Sequence, residues 1–388
     1  MTTPPRGFDD AEFAARCALV QAAMAQADVG ALLLTSEAEI RYFTGFMTQF
    51  WQSPTRPWFV VIPSSGKPVA IIPSIGIPLM RRCYTENIIS WASPAAHDDG
   101  ITLVADVIQQ HVTKGGRLGM LMGRETAVRM PLADLFCLQK ELGEINWHDM
   151  TAEIQLIRMV KSPAEQAKLR HICAIVSDVF AHVPDWLQPC MPFDSCFRHF
   201  KVDALERGVD DVSYLVGGVG AGGYDDIIAP PVSKAIVTGD VLMFDTGCVW
   251  DGYFSDFDRN FSIGRASAEA QDAHKKLFDA TEAALSILRP GVTAADLFSA
   301  MDEILRPDQS AGGDDVGRYG HGLGIQLTEA PSHTAWDTTK ITAGMALTIE
   351  PSISYGNGFM MVAEENLLVH DDHVELLTTR APRELPAI

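Results

Sequence analysis

Between Phe244 and Phe261 the stretch FDTGCVWDGYFSDFDRNF carries four aspartates in eighteen residues, on what otherwise reads as two apolar strands. Aspartate is depleted inside strands, and a buried carboxylate without a partner is costly, so this charge calls for compensation. The strand-like VLMFDTGCV and GYFSDFDRNF flank Trp250, Asp251 and Gly252. A turn on Trp250 and Asp251 sets Asp245 opposite Asp256. A turn on Asp251 and Gly252, which Asp-Gly chemistry favours, sets Asp245 opposite Asp258. Opposed side chains share a sheet face, so either register collects Asp245, Asp256 and Asp258 on one face.

The last hairpin repeats the device. ALTIEPSIS and FMMVAEENLLV flank Gly356-Asn357-Gly358, and a three-residue loop there places Glu350 opposite Glu364. Like-charged pairs repel unless a cation lies between them. Between the hairpins, YGHGLG (Tyr319 to Gly324) holds a histidine flanked by glycines, which allow close backbone approach. Four carboxylates suit Mn²⁺ or Mg²⁺, and the His321 imidazole admits Fe, Co or Zn. One small cation does not need four carboxylates. Two ions about 3.5–4 Å apart would use them all and activate a shared water. Taken singly, an aspartate on a strand is ordinarily an edge or turn residue, and a histidine a satisfied polar group. The inference rests on five ligand types converging from two hairpins and one loop.

The elements that must position these residues follow from hydrophobic pattern and punctuation. In the first part, VGALLLT, PWFVVIP, PVAIIP, ENIISWA, RLGMLMG and EINWHDM read as strands, with PWFVVIP and PVAIIP a hairpin about SSGK. Helical patterns lie near 100–112 and 130–142. This alternation predicts a three-layer α/β domain. In KSPAEQAKLR, Ser162, Pro163 and Glu165 form a helix start, so the division falls into a domain over 1–155 and another over 156–388. The second holds helices at about 163–185, 193–207, 267–287 and 294–305. Its strands lie near 212–217, 241–257, 345–350 and 360–370, with a Gly/Asp-rich loop from Ser310 to Gly317. Helices set against a mostly antiparallel sheet make it α+β.

Composition narrows the function. The chain has 388 residues and a formal net charge of −20, which disfavours nucleic-acid and anionic-membrane partners. No apolar run reaches about 18 residues, so no membrane span is expected, and MTTPPRGFDD lacks a signal-peptide pattern. Seven scattered cysteines without a CxxC point to reduced thiols and a cytoplasmic protein.

These motifs, in this order, resemble the pita-bread metallohydrolases: methionine aminopeptidases, aminopeptidase P, prolidases and creatinases. The family's D-x-G, GYxxD, GHGxG, TxEP and final E-[DE] appear as Asp245-Thr246-Gly247, Gly252-Tyr253 to Asp256, Gly320-His321-Gly322, Thr348 to Pro351 and Glu364-Glu365. RYFTGF (41–46) is similar to the creatinase-type N-terminal signature, and VKSPAEQAKLR to the helix opening the catalytic domain. The resemblance implies a pita-bread catalytic domain with Asp245, Asp256, His321, Glu350 and Glu364 as metal ligands. It also implies two divalent ions, with manganese the first choice before cobalt, iron or zinc, and a homodimer. The implied activity is hydrolysis of a C–N bond in a small molecule or short peptide, as in Xaa-Pro aminopeptidases and dipeptidases.

The departures bear on substrate. Where the peptidases carry a second histidine seven residues after the first, this chain has Thr328, followed by Glu329. The histidine that precedes the first metal aspartate is absent, with IIAPP around Ile228 instead. The arginine two residues before the last glutamate is Val362, and Asp258 replaces a threonine before Arg259. A non-peptidase hydrolase of a small nitrogenous solute, like creatinase or ectoine hydrolase, is therefore the alternative, and MVAEEN and TRAPRELPAI resemble that branch. A catalytically silent metal-binding interaction protein is the third reading.

Several further residues carry expectations. Asp258 is expected to partner Arg259 beside the ligands rather than add a ligand. Glu329 is expected to assist proton transfer, with Thr328 a weak donor. Phe50, Trp51 and Arg56, in the aromatic run FMTQFWQSPTRPWF, are candidates to line a small-molecule pocket in which a cation or amide ligand rests on Trp51. Tyr224, in the AGGYDD loop, is a similar candidate.

Overall fold

The protein is described by a computed structural model covering residues 2–306 and 317–388. Apart from Gly317, the loop expected from Ser310 lies outside the described residues. The chain divides into two compact units, one over Pro5–Arg158 and the other running from Met159 to Ile388.

In the first unit the strands are β1 Val29–Leu34, β2 Phe59–Pro63, β3 Val69–Pro73, β4 Asn87–Trp91, β5 Arg117–Met120 and β6 Asn146–Asp149. The helices are α1 Asp10–Gln26, α2 Glu37–Thr44, α3 Ile77–Met80, α4 Ile101–His111, α5 Leu132–Leu142 and α6 Thr151–Met159. The strands form one sheet in the order β4-β3-β2-β1-β5-β6. The expected hairpin pairs Phe59 with Ile71. Ala31, Leu33, Phe59 and Val61 pack with Val104, Ile108 and Leu138 from α4 and α5. The alternate residues Leu32, Leu34, Val60 and Ile62 are buried as well. Burial on both faces is why these strands read as continuous apolar runs, and it gives the three-layer α/β form.

The second unit opens with α7 Pro163–Trp186, whose start is a capping box: Ser162 Oγ accepts from Glu165 N, and Glu165 Oε2 accepts from Ser162 N at 2.9 Å. Next come α8 Phe193–Glu206, β7 Asp211–Val216, β8 Val219–Ala221, β9 Asp240–Trp250, β10 Tyr253–Phe254, β11 Phe257–Ser262, α9 Ala268–Ile287 and α10 Ala294–Leu305. The remaining strands are β12 His321–Gly322, β13 Glu329–Ser332, β14 Ala346–Ile349, β15 Ser352–Tyr355, β16 Phe359–Val362, β17 Glu365–Val369 and β18 Val374–Leu376.

Strand β9 is central to one sheet, pairing with β7 and β8 along one edge and with β10 and β11 along the other. Asp251 and Gly252 make the hairpin turn, both at positive φ (+46° and +79°), the geometry of a two-residue Asp-Gly turn. That choice settles the register: Asp245 lies opposite Asp258, and the ladder breaks at Ser255 and Asp256. A second sheet runs β13-β12-β14-β17-β18, beside a β15-β16 ribbon. Ile349 pairs with Glu365 and Ser352 with Val362. The intervening Glu350 therefore falls opposite Glu364, as the three-residue loop predicts. The ladder parts there because Pro351 has no N–H to give.

Candidate metal centre

Asp245 sits within the regular ladder of β9, and the other four candidate donors lie at irregularities that turn a strand residue toward it. Asp256 occupies the break between β10 and β11, Glu350 and Glu364 the break between sheet and ribbon, and His321 a two-residue strand. Asp256, His321 and Glu364 are buried, and one donor atom from each lies within 4.8 Å of the others. His321 Nε2 is 3.4 Å from Asp256 Oδ2 and 3.6 Å from Glu350 Oε1. The Tyr214 hydroxyl lies within hydrogen-bonding distance of both Asp245 Oδ1 (2.9 Å) and Asp256 Oδ1, closing the group of five.

The histidine's tautomer follows from its surroundings. His321 Nδ1 lies 2.9 Å from the Gly322 carbonyl, which can only accept, so Nδ1 carries the proton. Nε2 is the nitrogen facing the carboxylates. A ring held this way by its other nitrogen is the arrangement of a metal-ligating histidine.

Packing explains the glycines of the motifs. A Cβ on Gly247 would stand 2.4 Å from the Tyr214 ring, so the glycine of Asp-x-Gly is what lets that tyrosine cross to the aspartates. Gly320 has φ +142°, and a Cβ there would meet His333 Nδ1 at 2.3 Å. Thr348 Oγ1 accepts from His321 N at 3.0 Å. Asn366 Oδ1 accepts from Asp256 N at 2.9 Å, and Asn366 Nδ2 donates to Asp256 O, gripping the Asp256 backbone like a missing strand. Arg259 ties the two sheets together, donating to Glu364 O at 2.8 Å and to Glu365 Oε2 at 2.9 Å. Successive residues face opposite ways, so Glu364 joins the cluster while Glu365 anchors the arginine. Tyr214, Asn366 and Arg318, whose Nε lies 3.9 Å from Glu350 Oε1, are absent from the sequence-based set. The only hint of them in the sequence is the glycine that makes room for Tyr214.

The electrostatics call for a cation. Burial raises the pKa of Asp245, and Glu350 adds to the rise against the hydrogen bond from Tyr214. Asp256 is raised by burial, then by Asp245 and Glu350. Glu350 is raised by burial, with Arg318 opposing. Glu364 is raised by burial and by Asp256, Glu350, Asp245 and Asp258. Glu364 Oε1 and Asp258 Oδ1 are buried with no hydrogen-bond partner. Orphaned carboxylate oxygens around an oriented imidazole fit divalent metal ions.

Most of the other expected residues have partners of their own. Asp258 does not pair with the Arg259 guanidinium through its carboxylate: Arg259 Nη1 donates to the Asp258 backbone carbonyl (2.6 Å), and its carboxylate partner is Glu365. Extended strand geometry sends neighbouring side chains to opposite faces. Glu329 forms a buried ion pair with Lys161 at 2.7 Å and accepts from Gln326 N, while Thr328 is half-buried in the turn before β13. In the first unit, Trp51 packs against Phe46 and Trp58, and the Arg129 guanidinium lies 5.0 Å from its ring centroid. Arg129 also donates to the carbonyls of Phe50, Trp51, Ser53 and Arg56, so the protein's own cation holds this loop. Phe50 is exposed. Tyr224 is buried, its hydroxyl donating to Asn260 Oδ1 at 2.6 Å.

An α/β unit joined to an antiparallel unit with buried carboxylates and one oriented histidine defines a metallohydrolase of the pita-bread class. The chain belongs to metallopeptidase family M24, matched over residues 167–371, and residues 16–160 match the creatinase/prolidase N-terminal domain. Enzymes of this family depend on two metal ions. The chain is 26% identical to the probable dipeptidase PepE of Mycobacterium tuberculosis over 385 residues, covering 98% of each. The crystal structure of dipeptidase PepE from Mycobacterium ulcerans is similar, with a TM-score of 0.84 and 28% identity over 98% of this chain and 99% of that one. The Thermococcus sibiricus prolidase shares the fold, with a TM-score of 0.86, 24% identity and coverage of 98% and 100%.

Proposed function

We propose that Asp245, Asp256, His321, Glu350 and Glu364 hold two divalent ions, manganese by preference, and that the protein hydrolyses the C–N bond of a short peptide of the Xaa-Pro dipeptide type. The observation that carries this reading is His321, whose Nδ1 proton goes to Gly322 and whose Nε2 faces Asp256 and Glu350. When bound, the ions supply Lewis acidity toward the scissile carbonyl and lower the pKa of the attacking water. Tyr214 orients Asp245 and Asp256, Thr348 holds the His321 backbone, and Arg318 offsets charge beside Glu350. Glu329 is the carboxylate assigned to proton transfer, with Lys161 as its counter-charge and Thr328 as a neighbouring hydroxyl. The catalytic part is residues 156–388, and residues 1–155 form the accessory domain. On that domain Phe50 is the exposed member of the pocket-lining run.

The names of the similar proteins, dipeptidase and prolidase, support a peptide substrate. Thr328 and Ile228, standing where the peptidases carry histidine, favour a small nitrogenous solute as the second reading. Both predict a homodimer. The seven free cysteines support a reducing, cytoplasmic setting, and among the described residues no helix is long and apolar enough to cross a membrane.

The test is metal content per subunit after Mn²⁺ loading, with Asp256→Ala alongside, then turnover of Xaa-Pro dipeptides against cyclic and methylated amines. About two equivalents, lost in the variant, together with dipeptide cleavage, are expected. No bound metal overturns the mechanism. Two ions with cleavage only of the amines moves the substrate to the second reading.

A further inference from the structure

Asp258 is left without a role by the five-donor centre, yet its surroundings are those of a donor. The Asp-Gly turn puts it directly opposite Asp245, where side chains on the shared face have Cβ atoms about 4.5–5.5 Å apart. It is 1% exposed. Its Oδ2 accepts from Asn260 Nδ2 at 2.8 Å, and Asn260 is held in turn by the Tyr224 hydroxyl and by its own bond to Val362 O. These contacts fix the carboxylate and leave Oδ1 over, buried and without a partner. The neighbouring guanidinium does not use it, because Arg259 is spent on backbone carbonyls and on Glu365. Burial raises the Asp258 carboxyl and the Asp245 charge raises it further, against the Arg259 charge and the Glu364 backbone, and Asp258 in turn raises Glu364.

A rigidly held, orphaned carboxylate oxygen beside another carboxylate requires a proton or a cation between them. We propose that Asp258 is a sixth protein donor to the metal centre, its Oδ1 coordinating the ion bound by Asp245. This rests on the metal-centre reading above. The consequence is a centre richer in hard oxygen donors, with selectivity shifted toward Mn²⁺ or Mg²⁺ and away from Zn²⁺. Tyr224 and Asn260 become positioning residues, holding Asp258 in place.

The decisive comparison is Asp258→Asn. Asparagine keeps the shape and can hydrogen-bond to Asp245, but it carries no charge. Metal-free wild type and variant are titrated with Mn²⁺ and separately with Zn²⁺, and the visible spectrum of the Co²⁺-loaded forms is recorded. The proposal expects one Mn²⁺ equivalent to weaken by about tenfold or more, the Zn²⁺ affinity to fall less, and the Co²⁺ bands to shift. Two Mn²⁺ equivalents at unchanged affinity with an unchanged Co²⁺ spectrum would mean a shared proton, not an ion, and overturn the inference while leaving the metal centre intact. A wild type that binds no Mn²⁺ fails the metal-centre reading itself, and the inference with it. Melting temperatures of the metal-free forms check the fold, and if Asp258→Asn does not fold, Asp258→Ser supplies the same comparison.

Discussion

Replacing Tyr214 with phenylalanine removes one oxygen atom and leaves the ring that Gly247 accommodates. The hydroxyl lies against Asp256 Oδ1, while the other oxygen, Oδ2, faces His321. The tyrosine thus sets which edge of the carboxylate is presented to the centre. A hydrogen bond to a charged group contributes about 1.5–3 kcal/mol. In the metal-free protein, where Asp256 is raised well above the usual carboxylate range, the bond contributes less, about 0.5–1.5 kcal/mol, and at about 2–4 °C per kcal/mol for a unit of this size the variant should melt about 1–6 °C lower. Groups that orient metal ligands are worth about 10–100-fold in metal affinity, or about 1.4–2.8 kcal/mol, in the same range as the bond itself. Calorimetric titration of metal-free wild type, Tyr214→Phe and Tyr214→Ala with Mn²⁺ measures it. Phenylalanine should bind Mn²⁺ about 10–100-fold more weakly, and alanine, which also opens a cavity, should be less stable still. If Tyr214→Phe binds Mn²⁺ within about twofold of wild type, the hydroxyl does not orient the aspartates and the argument fails.

Two further outcomes follow from the same geometry. In the metal-free protein the cluster carboxylates are raised, Asp245 and Glu350 to about 7, so the folded state binds more protons than the unfolded state between about pH 4 and 7. Their contribution to stability therefore falls as pH rises through that window. His333 and His274, kept neutral by burial, work in the opposite direction but are fewer. An ion competes with those protons, so the Mn²⁺-induced gain in melting temperature should be larger at about pH 7.5 than at about pH 5.5; an equal gain at both would contradict the carboxylate site. Glu329→Gln removes the carboxylate that pairs with the buried Lys161, which should cost about 3–5 kcal/mol in urea unfolding. If turnover instead falls at unchanged stability, Glu329 serves proton transfer rather than the ion pair.

Much of this was legible in the chain because hairpins are local. Asp251-Gly252 and Gly356-Asn357-Gly358 carry the turn chemistry, and period-two alternation then assigns each carboxylate to a face. Arg259 acts on Asp258 through its charge but gives its hydrogen bonds to the Asp258 backbone and to Glu365, for the same reason, since adjacent residues on a strand diverge. A cation does lie over Trp51. The protein supplies it from Arg129, far along the chain, and no local pattern records that contact.

The sequence by itself determined the register of the second hairpin, the shared face of the first hairpin's aspartates, the glycine-flanked His321 and the five donor types, all set by turn residues and side-chain alternation over short spans. Only the tertiary structure decided that hairpins from different sheets meet. Arg259 and Asn366 bridge those sheets, Tyr214 arrives through the β7–β9 pairing, and Arg318 comes to Glu350. Such contacts depend on how whole sheets pack, a non-local choice that no window of residues encodes. The orphaned oxygen of Asp258 belongs to that second category. Its position was readable from the turn, but its lack of a partner appeared only once every neighbour had been placed.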